Sequence, residues 1–475
     1  MRDWPREWRR FNNQTLTLAG LIAVSLLASN GCVRYQSKPL DSAKNLARIE
    51  HRSLADTALK QYIERNLQQE QTPWPPASWD LKRLTMAAFH YNPDIEAARA
   101  KYAVVAAGKK TAAARPNPTL SVTPTRNATT TIPSPWLVTA TLDIPIETAG
   151  KRGYRMAGAG QLSRAAQLGI ASTAWEVRTR LRKSFLALWS TSEAQTLLQR
   201  QMVAQSNIVA LLDQQLELGA IARTELTRER IAFQQSRLAL FETQNRRSQA
   251  RVDLAAAIGL PVHALDDLVF NFDIFTQTPH PPVSAEARRR ALLGRADVLA
   301  ALSEYAASEA ALHLEIARQY PDIDLSPGYE YDQGDNKWGL GVGVELPVIN
   351  HNRGPIAEAD ARRNETAARF NALQAGVLNA IETAEAGCTS TQAQLDAASS
   401  ILKEAEQRKK LAHGMFEVGE VPRQALATAA IEQTTAALAA LDARSKAQEA
   451  LGQLEGALQS PLEIPAPLLE IPLEK

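Results

Sequence analysis

The sequence predicts an α+β membrane protein whose protomer carries four transmembrane β-strands and long antiparallel α-helices in two internal repeats. Three observations carry that prediction. Glu217-Leu218-Gly219, followed by Ile221, Arg223 and Leu226, recurs about 200 residues later as Glu417-Val418-Gly419, followed by Val421, Arg423 and Leu426. Pro145 and Pro347, Trp136 and Trp338, Pro118 and Pro321, and Asp94 and Asp297 are related the same way, and self-similarity at a fixed offset marks a repeated architecture. Each copy also contains a pair of alternating apolar and polar segments, followed by a very long proline-free stretch with helical spacing.

The N-terminus reads as an export signal. Arg2, Arg6, Arg9 and Arg10 precede an apolar run from Leu16 to Leu27, too short for a membrane span, which ends in small residues before Cys32. Residues 1–31 are therefore expected to be a signal peptide. Ala28-Ser29-Asn30-Gly31-Cys32 resembles a bacterial lipoprotein processing site, with Ser29 where that pattern usually has an aliphatic residue. Cys32 is then the lipidation site, the alternative being cleavage nearby with an unmodified cysteine. Val33 is not the aspartate of inner-membrane-retained lipoproteins, so the outer membrane is the expected location. With Cys32 acylated, Cys388, the second of the two cysteines, is a lone thiol and a small buried filler.

Residues 32–78 read as a polar, irregular, lipid-anchored tether ending in Trp74-Pro75-Pro76. Repeat 1 spans 79–265, a linker or equatorial segment 266–284, repeat 2 285–460, and a C-terminal tail 461–475. Each repeat opens with a helical stretch, 80–114 or 285–318. Strands are expected at about 118–127 and 135–146 in the first repeat, and at about 322–332 and 337–348 in the second. In the second strand Trp136, Val138, Ala140, Leu142, Ile144 and Ile146 alternate with Leu137, Thr139, Thr141, Asp143 and Pro145. In the third, Ile323, Leu325, Tyr329 and Tyr331 alternate with Asp322, Asp324, Ser326, Gly328, Glu330 and Asp332. The fourth sets Trp338, Leu340, Val342, Val344, Leu346 and Val348 against Gly339, Gly341, Gly343, Glu345 and Pro347. Segments of about ten residues match a tilted transmembrane β-strand. Trp136 and Trp338 occupy equivalent ends, as an interfacial aromatic girdle requires.

The proline-free stretches 150–218 and 356–418 give helices about 100 and 95 Å long. Each closes at a Gly turn, Gly219 or Gly419, and reverses into a helix of about 55 Å, 223–258 or 423–459. Abundant alanine on the packing stripes suits close packing in a single helical layer.

Four strands cannot close a barrel, and an open sheet edge in lipid leaves backbone groups unsatisfied. Two chains give eight strands with a filled interior; three give twelve and leave a lumen. A pore thus needs a homotrimer, with a 12-stranded barrel continuous with a periplasmic α-helical barrel. The polar faces then put Asp143, Asp322, Asp324, Glu330, Asp332 and Glu345 in the lumen. That acidic lining either favours cations or simply solvates the channel.

In order and spacing, YNPDIEAARA, ARPNPTL, LDIPIETAGKRGYR and LELGAIARTEL, then RADVLAA, QYPDIDLSPGYEYD, WGLGVGVELPVINHNRG and MFEVGEVPRQAL, resemble the TolC-like outer-membrane efflux protein family across nearly all of the mature chain. PIETAGKRGYR looks most like the heavy-metal-efflux branch. The resemblance implies a trimeric, palmitoylated outer membrane factor. Such a channel docks through its periplasmic tips onto an adaptor and an inner-membrane transporter, of the resistance-nodulation-division type. Carried over by position, the tips are Gly219 with Arg223 and Gly419 with Arg423. Where family members often carry gate aspartates this chain has Ala425 and Thr428, and Glu420 is the nearest acidic substitute.

Enzyme signatures are weak. Gly108-Lys109-Lys110-Thr111 lacks the first glycine of a phosphate loop and sits within a helix, and Gly158-Ala159-Gly160 lacks the third glycine and the preceding strand of a dinucleotide fingerprint. Seven histidines are scattered without ligand spacing, so no metal site and no cofactor beyond the lipid on Cys32 is expected. A net charge of +2 gives no support for a nucleic-acid partner. The expected function is passive conduction from pump and adaptor to the exterior, with the acidic lumen and the PIETAGKRGYR resemblance leaning towards metal cations as cargo. An exit duct for type I protein secretion and a non-channel periplasmic lipoprotein scaffold are the alternatives.

Overall fold

The computed structural model describes residues 33–128, 134–276 and 284–461, and Cys32 lies outside them. The chain divides into two compact units, residues 1–51 and 52–475. In the first, helix α1 (Ser42–Glu50) starts where the Asp41 carboxylate accepts from the N–H groups of Ala43 and Lys44, both at 3.1 Å.

The second unit begins earlier than a tether ending at residue 78 implies. Residues 52–78 are not an irregular leader. Helix α2 (Thr57–Leu67) turns Leu59, Ile63 and Leu67 inward, and they join Leu54, Trp79, Leu84, Phe185 and Phe275 in a hydrophobic core. Hydrophobic spacing of i, i+4, i+8 on α2 accounts for the burial. The end of repeat 1 and the equatorial segment supply the other wall. Val262–Leu265 forms a 3₁₀ turn, Phe270 makes a parallel bridge to Trp79, and α7 (Asp273–Thr276) presents Phe275 to Phe185.

The single helices expected at 80–114 and 285–318 are each broken. Helix α3 (Leu81–Tyr91) stops before Asn92-Pro93, because a residue preceding proline is driven out of the helical region. Helix α4 (Pro93–Ala113) restarts with the Asn92 side chain as its cap, accepting from Asp94 N–H at 2.9 Å. In the second copy α8 (Ala285–Gly294) and α9 (Ala296–Ala317) part at Arg295. Between these pairs lie strands β1 (Thr119–Arg126) and β2 (Trp136–Ile146), the 67-residue helix α5 (Lys151–Glu217) and the 36-residue α6 (Arg223–Ile258). After α9 come β3 (Ile323–Asp332), β4 (Asp335–Val344), the 65-residue α10 (Arg353–Glu417) and the 36-residue α11 (Arg423–Leu458).

Helix α5 packs along α6, α4, α9 and α11, and α10 packs along α11 and α9. Alanine makes the close approach possible: Ala436, Ala440, Ala443, Ala447 and Ala450 form a buried seam on α11. The repeat extends to single bonds. Asn92 Nδ2 donates to Ala257 O at 2.8 Å, and the Arg295 guanidinium donates to Ala457 O, each bracing the last turn of its copy's short helix.

The four strands form one antiparallel meander in the order β1-β2-β3-β4, leaving β1 and β4 as edges. The fourth strand stops at Val344 rather than 348. Val344 pairs with Ile323, the first residue of β3, so the chain beyond it has no neighbour to bond. Among the described residues no helix is long and apolar enough to cross a membrane.

Candidate functional site

Register decides which side chains share a face. Asp143 lies opposite Thr119, Glu330 lies between Thr139 and Lys337, and Asp332 lies between Leu137 and Asp335. Asp143, Asp324, Glu330 and Asp332 therefore stand on one face with Thr119, Ser121, Thr123 and Thr125 of β1 and with Gly339, Gly341 and Gly343 of β4. The opposite face carries Leu120, Val122, Val138, Leu142, Leu325 and Leu340 among others. Trp136 and Trp338 lie on this apolar face, Trp338 83% exposed and tilted against Tyr329 with ring centroids 4.9 Å apart.

Two acidic residues assigned to strands by the sequence fall outside them. Asp322 precedes β3 and is held by Lys151 Nζ at 2.8 Å and by the Thr148 N–H at 2.8 Å, so its charge is already matched at the sheet–helix junction. Lys151 is the first residue of α5, and its Nζ also donates to Tyr320 O at 2.7 Å. Glu345 follows the end of β4. Lys337, which the sequence reading passed over, sits on the polar face 2.6 Å from Asp332 and 3.8 Å from Glu330. It lowers the net negative charge of that face near the β3–β4 turn.

A second ion pair secures the same junction. The Arg155 guanidinium grips both oxygens of Glu147, one of them at 3.0 Å, and this hydrogen bonding holds the Glu147 carboxyl below the usual carboxylate range. The long helix α5 is thus anchored to the sheet at its first turns, and its far end is about 100 Å away.

At that far end Gly219 and Gly419 adopt φ of +70° and +78°, the left-handed conformation glycine tolerates best. Behind each, the N–H of the next residue returns to the helix: Ala220 N to Gln215 O at 2.8 Å, and Glu420 N to Met415 O at 2.9 Å. Arg223 and Arg423 open the outgoing helices and are exposed, and among the described residues neither side chain has an ion-pair partner. A cation at a helix N-terminus opposes the macrodipole, so neither arginine is placed there by helix stability. Glu420 is exposed on the second turn. Beneath the tips, Ile208, Leu212 and Leu226 pack with Ala427 and Ile431 and tie the two hairpins together. A groove of about 410 Å³ runs between α5 and α11, lined by Ile208, Leu211, Gln214, Arg423 and Leu426.

One polar cluster escaped the sequence reading entirely. Arg178 of α5 lies 2.9 Å from Glu455 of α11, and Arg182 lies 3.5 Å from the same carboxylate, all three buried. Arg182 also donates to Gln448 O at 2.6 Å and Gln448 Oε1 at 2.9 Å. No motif announces such a cluster, although Arg178 and Arg182 do share a helix face at i, i+4 spacing. Cys388 is a free, half-buried thiol whose pKa is pushed up by burial. Among the described residues no three His, Cys, Asp or Glu side chains converge as metal ligands would.

Residues 86–260 and 287–459 match the family model described as outer membrane efflux protein, one segment for each repeat. The cobalt-zinc-cadmium resistance protein CzcC of Cupriavidus metallidurans is 27% identical over 313 residues, which cover 64% of this chain and 72% of that protein. The open-state outer membrane channel MtrE of Neisseria gonorrhoeae superimposes with a TM-score of 0.67 at 17% identity, over 80% of this chain and 89% of that one. CusC, solved in studies of folding and transmembrane channel formation, gives 0.66 at 18% identity, over 83% and 95%. At such identities the likeness to the solved structures is one of fold.

Proposed function

The chain belongs to the outer membrane efflux protein family, and on that premise we propose that it is the passive exit channel of a three-part metal-efflux assembly. The observation that carries this reading is the sheet: one face polar, one face apolar, both edges unpaired. A sheet of that kind is stable in lipid only when copies close it into a ring, polar side inward. Three copies supply twelve strands and a water-filled lumen. The chain is a channel protein rather than an enzyme.

The finer assignments follow from the same reading. A lipid on Cys32 and the barrel together hold the protein in the outer membrane. The tips around Gly219, Arg223, Gly419 and Arg423 receive a periplasmic adaptor, with Glu420 as the candidate gate residue in place of the family's aspartates. Energy comes from an inner-membrane transporter of the resistance-nodulation-division type. The cargo class is metal cations. Support for it is the relative named for cobalt, zinc and cadmium resistance, together with the carboxylates of Asp143, Asp324, Glu330 and Asp332 on the polar face.

The test is metal tolerance of a strain lacking the gene, with and without plasmid rescue, across zinc, cobalt, cadmium and copper. Sensitivity that the plasmid corrects is expected. Unchanged tolerance while the partner pump is expressed would overturn the metal assignment.

A further inference from the structure

The two hairpins are copies in register as well as in sequence. Thr119 stands opposite Asp143 in the first. Shifted by the repeat offsets, 203 from Pro118 to Pro321 and 202 from Trp136 to Trp338, that pair becomes Asp322 and Glu345. This is the register of the second hairpin, where Asp324 stands opposite Gly343, two residues further along one strand and two back along the other. The offsets therefore transfer pairings faithfully from one copy to the other.

The junction between the copies, β2 against β3, can be transferred the same way. Its pairs include Ile144 opposite Leu325 and Ile146 opposite Ile323, and Ser326 Oγ donates to Asp143 Oδ1 at 2.6 Å. Moved forward by 202, β2 becomes β4; moved back by 203, β3 becomes β1. Ile144–Leu325 becomes Leu346–Val122, Ile146–Ile323 becomes Val348–Leu120, and Asp143–Ser326 becomes Glu345–Thr123. Apolar residues meet apolar residues, and a carboxylate again meets a hydroxyl. Within one chain these residues have no such partners: Leu346 is 71% exposed, Val348 73%, Leu120 61% and Val122 58%. The transfer also accounts for the early end of β4. Its counterpart β2 runs to Ile146, the equivalent of Val348, because β2 has neighbours on both sides.

We propose that copies of this chain join through β4 of one and β1 of the next in the antiparallel register that sets Leu346 opposite Val122, Val348 opposite Leu120 and Glu345 opposite Thr123. The proposal rests on the channel reading and specifies its subunit contact. The Thr123 hydroxyl donates to the Glu345 carboxylate of the neighbour, and strand pairing extends through residue 348. A slip of one residue would turn every apolar side chain of the edge to the polar face, and the repeat selects among the remaining registers.

Disulfide trapping tests this in the full-length protein carrying Cys388→Ser. Directly opposed residues of antiparallel strands have Cα atoms about 4.5–5.5 Å apart, within disulfide range, whereas diagonal neighbours at about 7–8 Å are beyond it. The pairs Glu345→Cys with Thr123→Cys, and Leu346→Cys with Val122→Cys, sample both kinds of opposed position. Oxidised membranes, boiled without reductant, should show a ladder up to covalent trimer for at least one of these. At least fivefold less is expected for Glu345→Cys combined with Thr125→Cys or Ser121→Cys. Size in detergent is read separately on unoxidised protein. Trimers that crosslink preferentially through the shifted pairs, or through none, would overturn the register while leaving the channel reading intact. Monomers throughout would overturn both.

Discussion

Two guanidiniums share one buried carboxylate at the seam between the repeats. Arg178 and Arg182 face Glu455 with side-chain exposures of 3% or less, and Nε and Nη2 of Arg178 have no hydrogen-bond partner among the described residues. Aromatic rings offset some of that cost: Arg178 lies over Trp175 at 5.3 Å and Arg182 over Phe275 at 5.6 Å. Removing one member of a buried ionic group leaves the others uncompensated, typically at about 3–5 kcal/mol. Glu455→Ala should therefore lower the denaturant midpoint sharply, and adding Arg178→Met and Arg182→Leu should recover much of the loss; an unchanged midpoint in the single variant would contradict this account. Gly452 belongs to the same arrangement, since a Cβ there would stand 2.6 Å from Arg182 Nη1. None of this was legible in the sequence. Glu455 sits 277 residues from Arg178 in an alanine-rich helix, where a lone glutamate reads as a solvated surface group.

At the level of elements, the corners between helices show what local sequence does and does not announce. The break at Asn92 is written in the proline that follows it, whereas the matching break has no proline: the helix ends at Gly294, and Arg295 reaches across to Ala457 and pairs with Asp297 at 2.7 Å. The C-caps diverge too. Gly259 has φ +91° and a Cβ there would lie 2.6 Å from the Tyr91 carbonyl oxygen, a backbone atom with little room to move. Its counterpart Gln459 adopts φ +46° and uses its side chain to accept from Ala296 N–H at 2.9 Å. Gly259→Ala should destabilise by about 2–4 kcal/mol, combining left-handed strain with overpacking. Gln459→Gly should change stability by less than about 1 kcal/mol, because relief of the backbone offsets the lost bond. Thermal unfolding of the two variants side by side checks the contrast, and equal losses would refute it. Helix α2 is hard to read for another reason: its three core residues are spread among charged and polar ones in a stretch that is hydrophilic on average.

Across the whole molecule, repetition was the most legible property, because the offset persists through strands, turns and caps. The long helices and their tip turns fall within a few residues of where the sequence places them. The hydrogen-bonded extent of β4 was not readable, since it depends on a neighbour rather than on composition. If the tips receive an adaptor, Arg223→Ala with Arg423→Ala should abolish metal tolerance in the rescue assay while the unfolding midpoint stays level or rises slightly, because removing a cation from a helix N-terminus is favourable by a few tenths of a kcal/mol. Tolerance retained by a normally expressed double variant would assign the docking elsewhere. The two open sheet edges carry a genetic consequence. A chain with β4 intact but β1 unable to pair could still join a ring and leave it unclosed. If three copies close the ring, equal expression with the normal chain would leave on the order of one ring in eight wholly normal under random mixing. Lesions at either edge should accordingly be dominant, while lesions that prevent the chain from folding at all should be recessive.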